Sequence, residues 1–209
     1  MKFDNANPLY TQTLKHTSTN IDLALRKLIE GNKRYKNGEC IHPNQTAERR
    51  IETANAPNPF AIILSCSDAR VPTEIVFDCG IGDLFVVRNA GNLINNEVLG
   101  SIEYAVEYFG VRLIIVLGHN RCGAVSAAVQ TGNFPGHINS LIEAIQPALE
   151  KAKKQSGDLI ENTVNENVAM AVQKLKSSGA VIEPFIHHGT LKIIGAIYNM
   201  DDGSVAFSK

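Results

Sequence analysis

Two apolar segments, FAIILSC at 60–66 and LIIVLG at 113–118, most constrain the fold of this chain. Continuous aliphatic runs of this kind are typical of central strands buried on both faces of a parallel sheet. Each run ends in reactive side chains: Cys66 and Asp68 follow the first, and His119 and Cys122 follow the second. Because open α/β sheets bind ligands at the carboxyl ends of their strands, we expect these side chains to converge if the strands are neighbours.

Strand and helix patterns alternate along the rest of the chain. Further core strands are predicted at 83–88 and 191–198, and an Asp-Asp-Gly turn precedes a short edge strand at 205–207. Helices are predicted near 21–37, 47–53, 72–77, 96–109, 122–130, 138–153 and 159–177. The sequence therefore predicts one α/β domain over residues 1–209: a mostly parallel four-stranded central sheet with an antiparallel edge strand, flanked by helices and preceded by an N-terminal helical arm.

The charge balance narrows the range of partners. Lys and Arg total 20 and Asp and Glu total 21, so no net field favours nucleic acid or an acidic membrane. No apolar run approaches the ~20 residues that span a bilayer, and the N-terminus lacks the basic and apolar regions of a signal peptide. We expect a cytoplasmic protein whose partners are small molecules or other proteins.

The cysteine pattern indicates metal binding or catalysis. The four cysteines form no Cys-X-X-Cys pair and are sparse for a disulfide scaffold. For Cys40 and Cys79 the favoured interpretation is an ordinary thiol, and a reversible disulfide between them is the less favoured one. Cys66, His119 and Cys122 together form a known three-ligand set for catalytic zinc, which leaves a fourth position open.

Asp68 has two possible roles beside such a metal. Its carboxylate can be a fourth zinc ligand, or it can lie just outside the coordination sphere. Arg70, two residues along, can hold the carboxylate in a bidentate pair and keep it off the metal. We favour the second role.

Four motifs together resemble the β-class carbonic anhydrases, from about residue 21 to the C-terminal strand. They are CSDARVP at 66–72, GDLFVVRNAGN at 82–92, SIEYAV at 101–106 and GHNRCG at 118–123. The resemblance implies a zinc ion on the three ligands named above and a catalytic dyad of Asp68 and Arg70. It implies reversible hydration of CO2 to bicarbonate and a proton, by attack of a zinc-bound hydroxide.

The resemblance also carries expectations about the pocket and the assembly. Phe85, Tyr104 and Gly123 match substrate-pocket positions, with the two aromatic residues at a dimer interface. The family forms homodimers, often paired into homotetramers, so residues 1–37 are expected to be an arm and helix that pack on a partner subunit.

Three positions depart from the family pattern. Ala69 stands where a serine is common, which leaves the dyad intact. Pro57 stands where the family often has a glutamine that donates to substrate, and proline cannot donate; Asn55 or Asn58 are the candidate substitutes. Residue 63 is Ile rather than the tryptophan of members with an inhibitory bicarbonate site, although Arg88 is present.

Alternatives to CO2 hydration remain open at this point. The same zinc site can hydrolyse a CO2 analogue such as carbonyl sulfide, or the chain can be a weakly active bicarbonate-binding module with Asp68 locked on zinc. A thiol hydrolase using Cys66 and His119 leaves Cys122 and Arg70 without roles. For the other histidines the favoured interpretation is a solvated or capping side chain, and a proton shuttle is the less favoured one: His16, His42, His137, His187 and His188.

Overall fold

One five-stranded sheet forms the centre of the protein in this computed structural model, which describes residues 20–130, 132 and 134–208. The strands are β1 (Ala61–Cys66), β2 (Leu84–Asn89), β3 (Leu113–His119), β4 (Lys192–Tyr198) and β5 (Val205–Phe207). Their order is β2-β1-β3-β4-β5; the first four are parallel and β5 is antiparallel to β4. The predicted fold class, including the antiparallel edge, is confirmed.

Helices cover both faces of the sheet. They are α1 (Ile21–Asn37), α2 (Ala47–Ala54), α3 (Thr73–Val76), α4 (Asn96–Tyr108), α5 (Gly123–Val129), α6 (Ile138–Ala152), α7 (Leu159–Lys176) and α8 (Gly179–His187). The first seven match predicted segments within a few residues. Among the described helices, none has both the length and the apolar composition that a bilayer crossing requires.

Helix α8 was not predicted from the sequence. Its segment GAVIEPFIH contains Pro184, which disfavours a helix interior. The segment is also apolar almost throughout, so the sequence gives no clear amphipathic pattern. In the structure Ile182 is fully buried, and Phe185 and Ile186 pack against the same core as α4. Tertiary packing, rather than local propensity, explains this helix.

Strands β1 and β3 are fully buried and lie side by side, with Ile62 opposite Ile114 and Leu64 opposite Val116. Because side chains alternate across a strand, these residues face one core and their neighbours face the other. The first core includes α4, α7 and α8, and the second includes α1. Burial on both faces is the reason that the two sequence runs are continuously apolar, and their adjacency confirms the prediction.

Helix α1 packs on its own sheet. The Asn20 side chain caps its first turn by accepting from the Leu23 N–H, and Gly38 ends it at φ +71°. Ala24 and Leu28 are buried against the sheet. The packing of residues 1–37 on a partner subunit stays a prediction, and residues 1–19 lie outside the described residues.

Asn32 joins α1 to the far edge of the sheet. Its amide donates to the carbonyl oxygens of Val76 (3.1 Å) and Gly203 (2.9 Å) and accepts from the Val205 N–H (2.8 Å). The side chain is buried, and these bonds compensate the cost of removing an amide from water.

A glycine-to-alanine change at Gly31 is expected to destabilise the protein by about 1–3 kcal/mol. A Cβ at this position would lie 1.9 Å from the Phe77 carbonyl oxygen, so α1 would have to move away from α3. Urea denaturation measures the free energy of unfolding. Gly100→Ala is the matched control, because a Cβ there meets no atom within 4 Å and alanine favours the helix. Equal stability of the two variants would show that α1 does not depend on this close approach.

Candidate metal centre

Three potential metal ligands meet at the carboxyl edge of the sheet. Cys66 is the last residue of β1, His119 is the last residue of β3, and Cys122 is the N-cap of α5. The two sulfurs and a ring nitrogen of His119 all lie within 4.8 Å of one another, and the three residues are buried. The structure thus brings together the three side chains that the sequence singles out.

The histidine is oriented for a metal. Its Nδ1 lies 2.8 Å from the Asn120 carbonyl oxygen, which can only accept, so Nδ1 carries the proton. Its Nε2 is buried and has no hydrogen-bond partner among the described residues. A buried imidazole with a free lone pair beside two thiols is the donor set of a three-ligand zinc site. The residues present therefore fit a zinc ion.

The pKa values of the two cysteine ligands are shifted in opposite directions when no metal is bound. A hydrogen bond with the Cys122 thiol is the largest cause that lowers the pKa of Cys66, and the Gly91 N–H acts in the same direction. The same hydrogen bond with Cys66, together with burial, raises the pKa of Cys122. Because cysteines bind a metal as thiolates, metal affinity at this centre depends on pH.

The other two cysteines do not belong to this centre. Cys40 and Cys79 are free, and burial is the main cause that raises the pKa of each thiol, that of Cys79 to about 12. Neither is poised as a thiolate. The favoured interpretation, two ordinary thiols, agrees with these surroundings.

Asp68 lies beside the three ligands and is held by Arg70. The guanidinium donates from Nε to Oδ1 (2.9 Å) and from Nη2 to Oδ2 (2.8 Å), and the Arg70 backbone N–H also donates to Oδ1 (2.9 Å). Arg70 Nη2 further donates to the Arg121 carbonyl oxygen (3.3 Å), which links the two strand-end loops. This is the bidentate pairing that the sequence predicts; its catalytic role stays a prediction.

Arg88 supports the same loop and was not assigned a role in the site from the sequence. From β2 it donates to the carbonyl oxygens of Cys66 (3.0 Å) and Asp68 (2.8 Å). It thereby fixes the backbone between the metal ligand and the carboxylate. Arg88 reaches this loop because β2 pairs with β1 and places Arg88 opposite Ser65. The sequence alone does not indicate that these two strands pair, so this role could not be predicted.

The loop after His119 is fixed by the turn that follows β4. The Asn120 amide donates to Asn199 Oδ1 (3.0 Å) and to Asp201 Oδ2 (3.2 Å), and Arg121 pairs with Asp201 at 2.6 Å. Arg121 has a φ of +53°, a conformation that non-glycine residues seldom adopt. These contacts hold in place the Asn120 carbonyl that orients His119.

Comparison with known proteins identifies the family. A family model described as carbonic anhydrase matches residues 61–205, more than half of the chain. Carbonic anhydrase 2 of Mycobacterium tuberculosis is 40% identical over 190 residues, covering 89% of this chain and 92% of the relative. This chain belongs to the β-class carbonic anhydrases. The prediction that it is an enzyme of this lyase family is confirmed.

Solved structures agree with this assignment. The β-carbonic anhydrase CcaA superposes with a TM-score of 0.70 at 28% identity, over 88% of this chain and 95% of that one. A tetrameric β-carbonic anhydrase from Sordaria macrospora shares the fold with a TM-score of 0.69 at 22% identity, over 89% of this chain and 94% of its own.

The pocket residues expected for a β-class carbonic anhydrase lie in three different elements. Phe85 on β2 contacts Phe109, with ring centroids 6.0 Å apart, and Tyr104 on α4 meets the same ring edge-on at 5.2 Å. Gly123 begins α5 directly after the ligand Cys122. Phe85 is half-buried and Tyr104 is 47% exposed, and their role as pocket walls stays a prediction.

Pro57 and the histidines other than His119 are exposed wherever the structure describes them. Pro57, Asn55 and Asn58 lie in the exposed segment between α2 and β1. Of the candidate proton shuttles His42, His137, His187 and His188 are exposed or partly exposed, and His16 lies outside the described residues. The roles expected of these residues stay predictions.

The carboxyl group of Asp68 is expected to titrate near pH 2 in the metal-free protein. The side-chain hydrogen bonds from Arg70 are the largest cause, and they lower the pKa of Asp68 from 3.8 to about 2. Because the folded pKa is depressed, the stabilising effect of the pair is complete above the ordinary pKa and is lost as the pH falls through about 2. Carboxyl-detected NMR measures the midpoint. Arg70→Gln should raise it towards the ordinary value, and an unchanged midpoint would contradict the assigned cause.

Proposed function

We propose that this chain catalyses the zinc-dependent, reversible hydration of CO2 to bicarbonate and a proton. Membership in the β-class carbonic anhydrases supports the reaction. The observation that carries the proposal is the ligand set of Cys66, His119 and Cys122, in which the buried His119 Nε2 lacks any other partner among the described residues.

Zinc is the metal that this donor set favours. Two thiolates and one imidazole are found in catalytic zinc sites that keep a fourth position for water or substrate. When bound, zinc would act as a Lewis acid and make hydroxide available near neutral pH. Apolar side chains of α5, α6 and α7 surround the sulfurs, including Val125, Ile145 and Val164. Such surroundings exclude competing water and strengthen electrostatic interactions inside the site.

Asp68 is proposed to orient the attacking oxygen. Its pKa of about 2 keeps the carboxylate ionised at neutral pH, so it acts as an acceptor rather than a donor. Arg70 engages both carboxylate oxygens, which favours a position outside the metal's coordination sphere. Oδ1 accepts two hydrogen bonds from Arg70, whereas Oδ2 accepts one and retains a lone pair that can accept a hydrogen bond from the nucleophile. The alternative of a binding module with Asp68 locked on zinc receives no support from this pairing.

The substrate pocket is proposed to be completed by a second copy of the chain. Strand β2 is an edge strand whose residues remain half-buried, and Tyr104 on the adjacent helix is half-exposed. An unpaired edge with apolar side chains is a surface that proteins normally cover. We therefore propose a homodimer with Phe85, Tyr104 and Gly123 lining a narrow pocket for CO2, and assembly into a tetramer as a further step. A cytoplasmic location stays the expectation from the sequence.

Stopped-flow measurement of CO2 hydration tests this function. Zinc-loaded protein should accelerate the reaction between about pH 6.5 and 9, with a rate that rises as the nucleophile loses its proton. Cys66→Ala is the control, because it removes a metal ligand. Equal rates for the two proteins would overturn the proposal. Sulfide release from carbonyl sulfide that exceeds CO2 turnover would assign the site to that analogue instead.

A further inference from the structure

A tight loop between β2 and α4 contacts the sulfur of Cys66. The Gly91 N–H donates to Cys66 Sγ at 3.3 Å. Gly91 has a φ of +79°, and a Cβ there would lie 3.2 Å from Ile145 Cδ1 and 3.4 Å from Ala124 Cβ. Glycine thus lets the backbone approach the sulfur through a narrow space between α5 and α6.

The ends of this loop are closed by one side chain. Asn89 donates from Nδ2 to the Leu93 carbonyl oxygen (2.8 Å) and accepts from the Leu93 N–H (2.7 Å). Between them, Gly91 and Asn92 both have positive φ angles. Such conformations persist only when the surrounding structure stabilises them, so the middle of the loop requires a contact with another element.

Helix α7 provides this contact. Asn167 donates from Nδ2 to the Gly91 carbonyl oxygen at 2.8 Å, and the side chain is only 5% exposed. Asparagine is a poor helix former and costs free energy when buried, whereas its neighbours on this face, Val164 and Val168, are apolar. Helix packing alone would be served by an apolar residue. The hydrogen bond to the Gly91 carbonyl oxygen therefore explains why an amide side chain occupies this buried position.

We propose that Asn167 is a positioning residue for the metal ligand Cys66. By fixing the Gly91 carbonyl it holds the Gly91 N–H against Sγ, so the thiolate carries a hydrogen bond of fixed direction. A hydrogen bond of this kind orients the ligand and withdraws charge from the sulfur, which tunes the metal that it binds. This inference rests on the proposed function only in requiring that the three-ligand centre takes up a metal.

Metal binding to Asn167→Leu tests the inference. Competition with a chelator should show Zn²⁺ affinity reduced by about 10- to 100-fold, the usual effect of losing a partner that orients a ligand. In the Co²⁺ form, the sulfur-to-cobalt charge-transfer band should move to longer wavelength, because the sulfur lone pairs lose a stabilising hydrogen bond. Asn167→Ala serves as a second variant if the leucine is not accommodated.

Thr163→Val is the matched control on the same helix. Thr163 is fully buried and donates only within α7, to the Leu159 carbonyl oxygen at 2.7 Å. The Thr163→Val protein should lose this hydrogen bond and some stability, but it should keep the wild-type Zn²⁺ affinity and the wild-type spectrum of the Co²⁺ form. Wild-type affinity and band position in both Asn167 variants would overturn the inference while leaving the proposed function intact. A wild-type chain that binds neither metal would overturn both.

Discussion

Replacing Cys122 with serine is expected to remove zinc from the protein and to reduce CO2 hydration to the background rate. The serine hydroxyl does not ionise at neutral pH, so two protein ligands remain where catalytic zinc sites use three. Cys122 is buried at the start of α5, where a substitute ligand from solvent would have to enter an apolar environment. The zinc content, measured by metal analysis, should fall from about one zinc per chain to nearly none.

Cys79→Ser is the matched control for this prediction. Cys79 is also a buried thiol, but it donates to the Phe77 carbonyl oxygen and its pKa of about 12 keeps it protonated. This variant should retain zinc and activity. A Cys122→Ser protein that keeps a full complement of zinc would contradict the assignment of Cys122 as a ligand.

Replacing Asp68 with asparagine is expected to lower kcat/KM for CO2 hydration by about 10²- to 10⁴-fold while zinc content is unchanged. The amide keeps the size of the side chain but loses the negative charge and half of its acceptors. It also breaks the bidentate pair with Arg70. The loss of rate without loss of metal separates a role in orienting the nucleophile from a role as a permanent ligand.

Asp202→Asn controls for removal of a paired carboxylate. Asp202 is exposed and is paired with Lys36 at 2.9 Å in the turn after β4, and among the described residues its other side-chain hydrogen bonds are with Ser204. Exposed pairs contribute little to stability, so rate and zinc content should both remain at wild-type levels. An Asp68→Asn enzyme as fast as the wild type would show that the carboxylate takes no part in the reaction.

The sequence was sufficient to predict the parts of the site that lie at strand ends. Burial on both faces forces β1 and β3 to be apolar throughout, so the residue at which each run stops is visible without a structure. Cys66 and His119 are found in this way. The pairing of Asp68 with Arg70 was predictable for a similar reason, because the two residues are close along the chain.

Contacts between distant segments could not be predicted in the same way. Asn167 and Gly91 are 76 positions apart, and nothing local distinguishes a buried helical asparagine from a solvated one. The role of Arg88 depends on β1 pairing with β2, and α8 depends on packing that overrides its proline. The functional effect of Pro57 stays a prediction.

The most direct test of this account is the coordination of zinc in the loaded protein at about pH 8, determined by crystallography together with X-ray absorption. The account predicts two sulfur ligands at about 2.3 Å from Cys66 and Cys122 and one nitrogen at about 2.0–2.1 Å from His119. The fourth ligand should come from solvent, with Asp68 still paired to Arg70. An Asp68 oxygen in the fourth position, or a ligand set lacking any of the three residues, would contradict it.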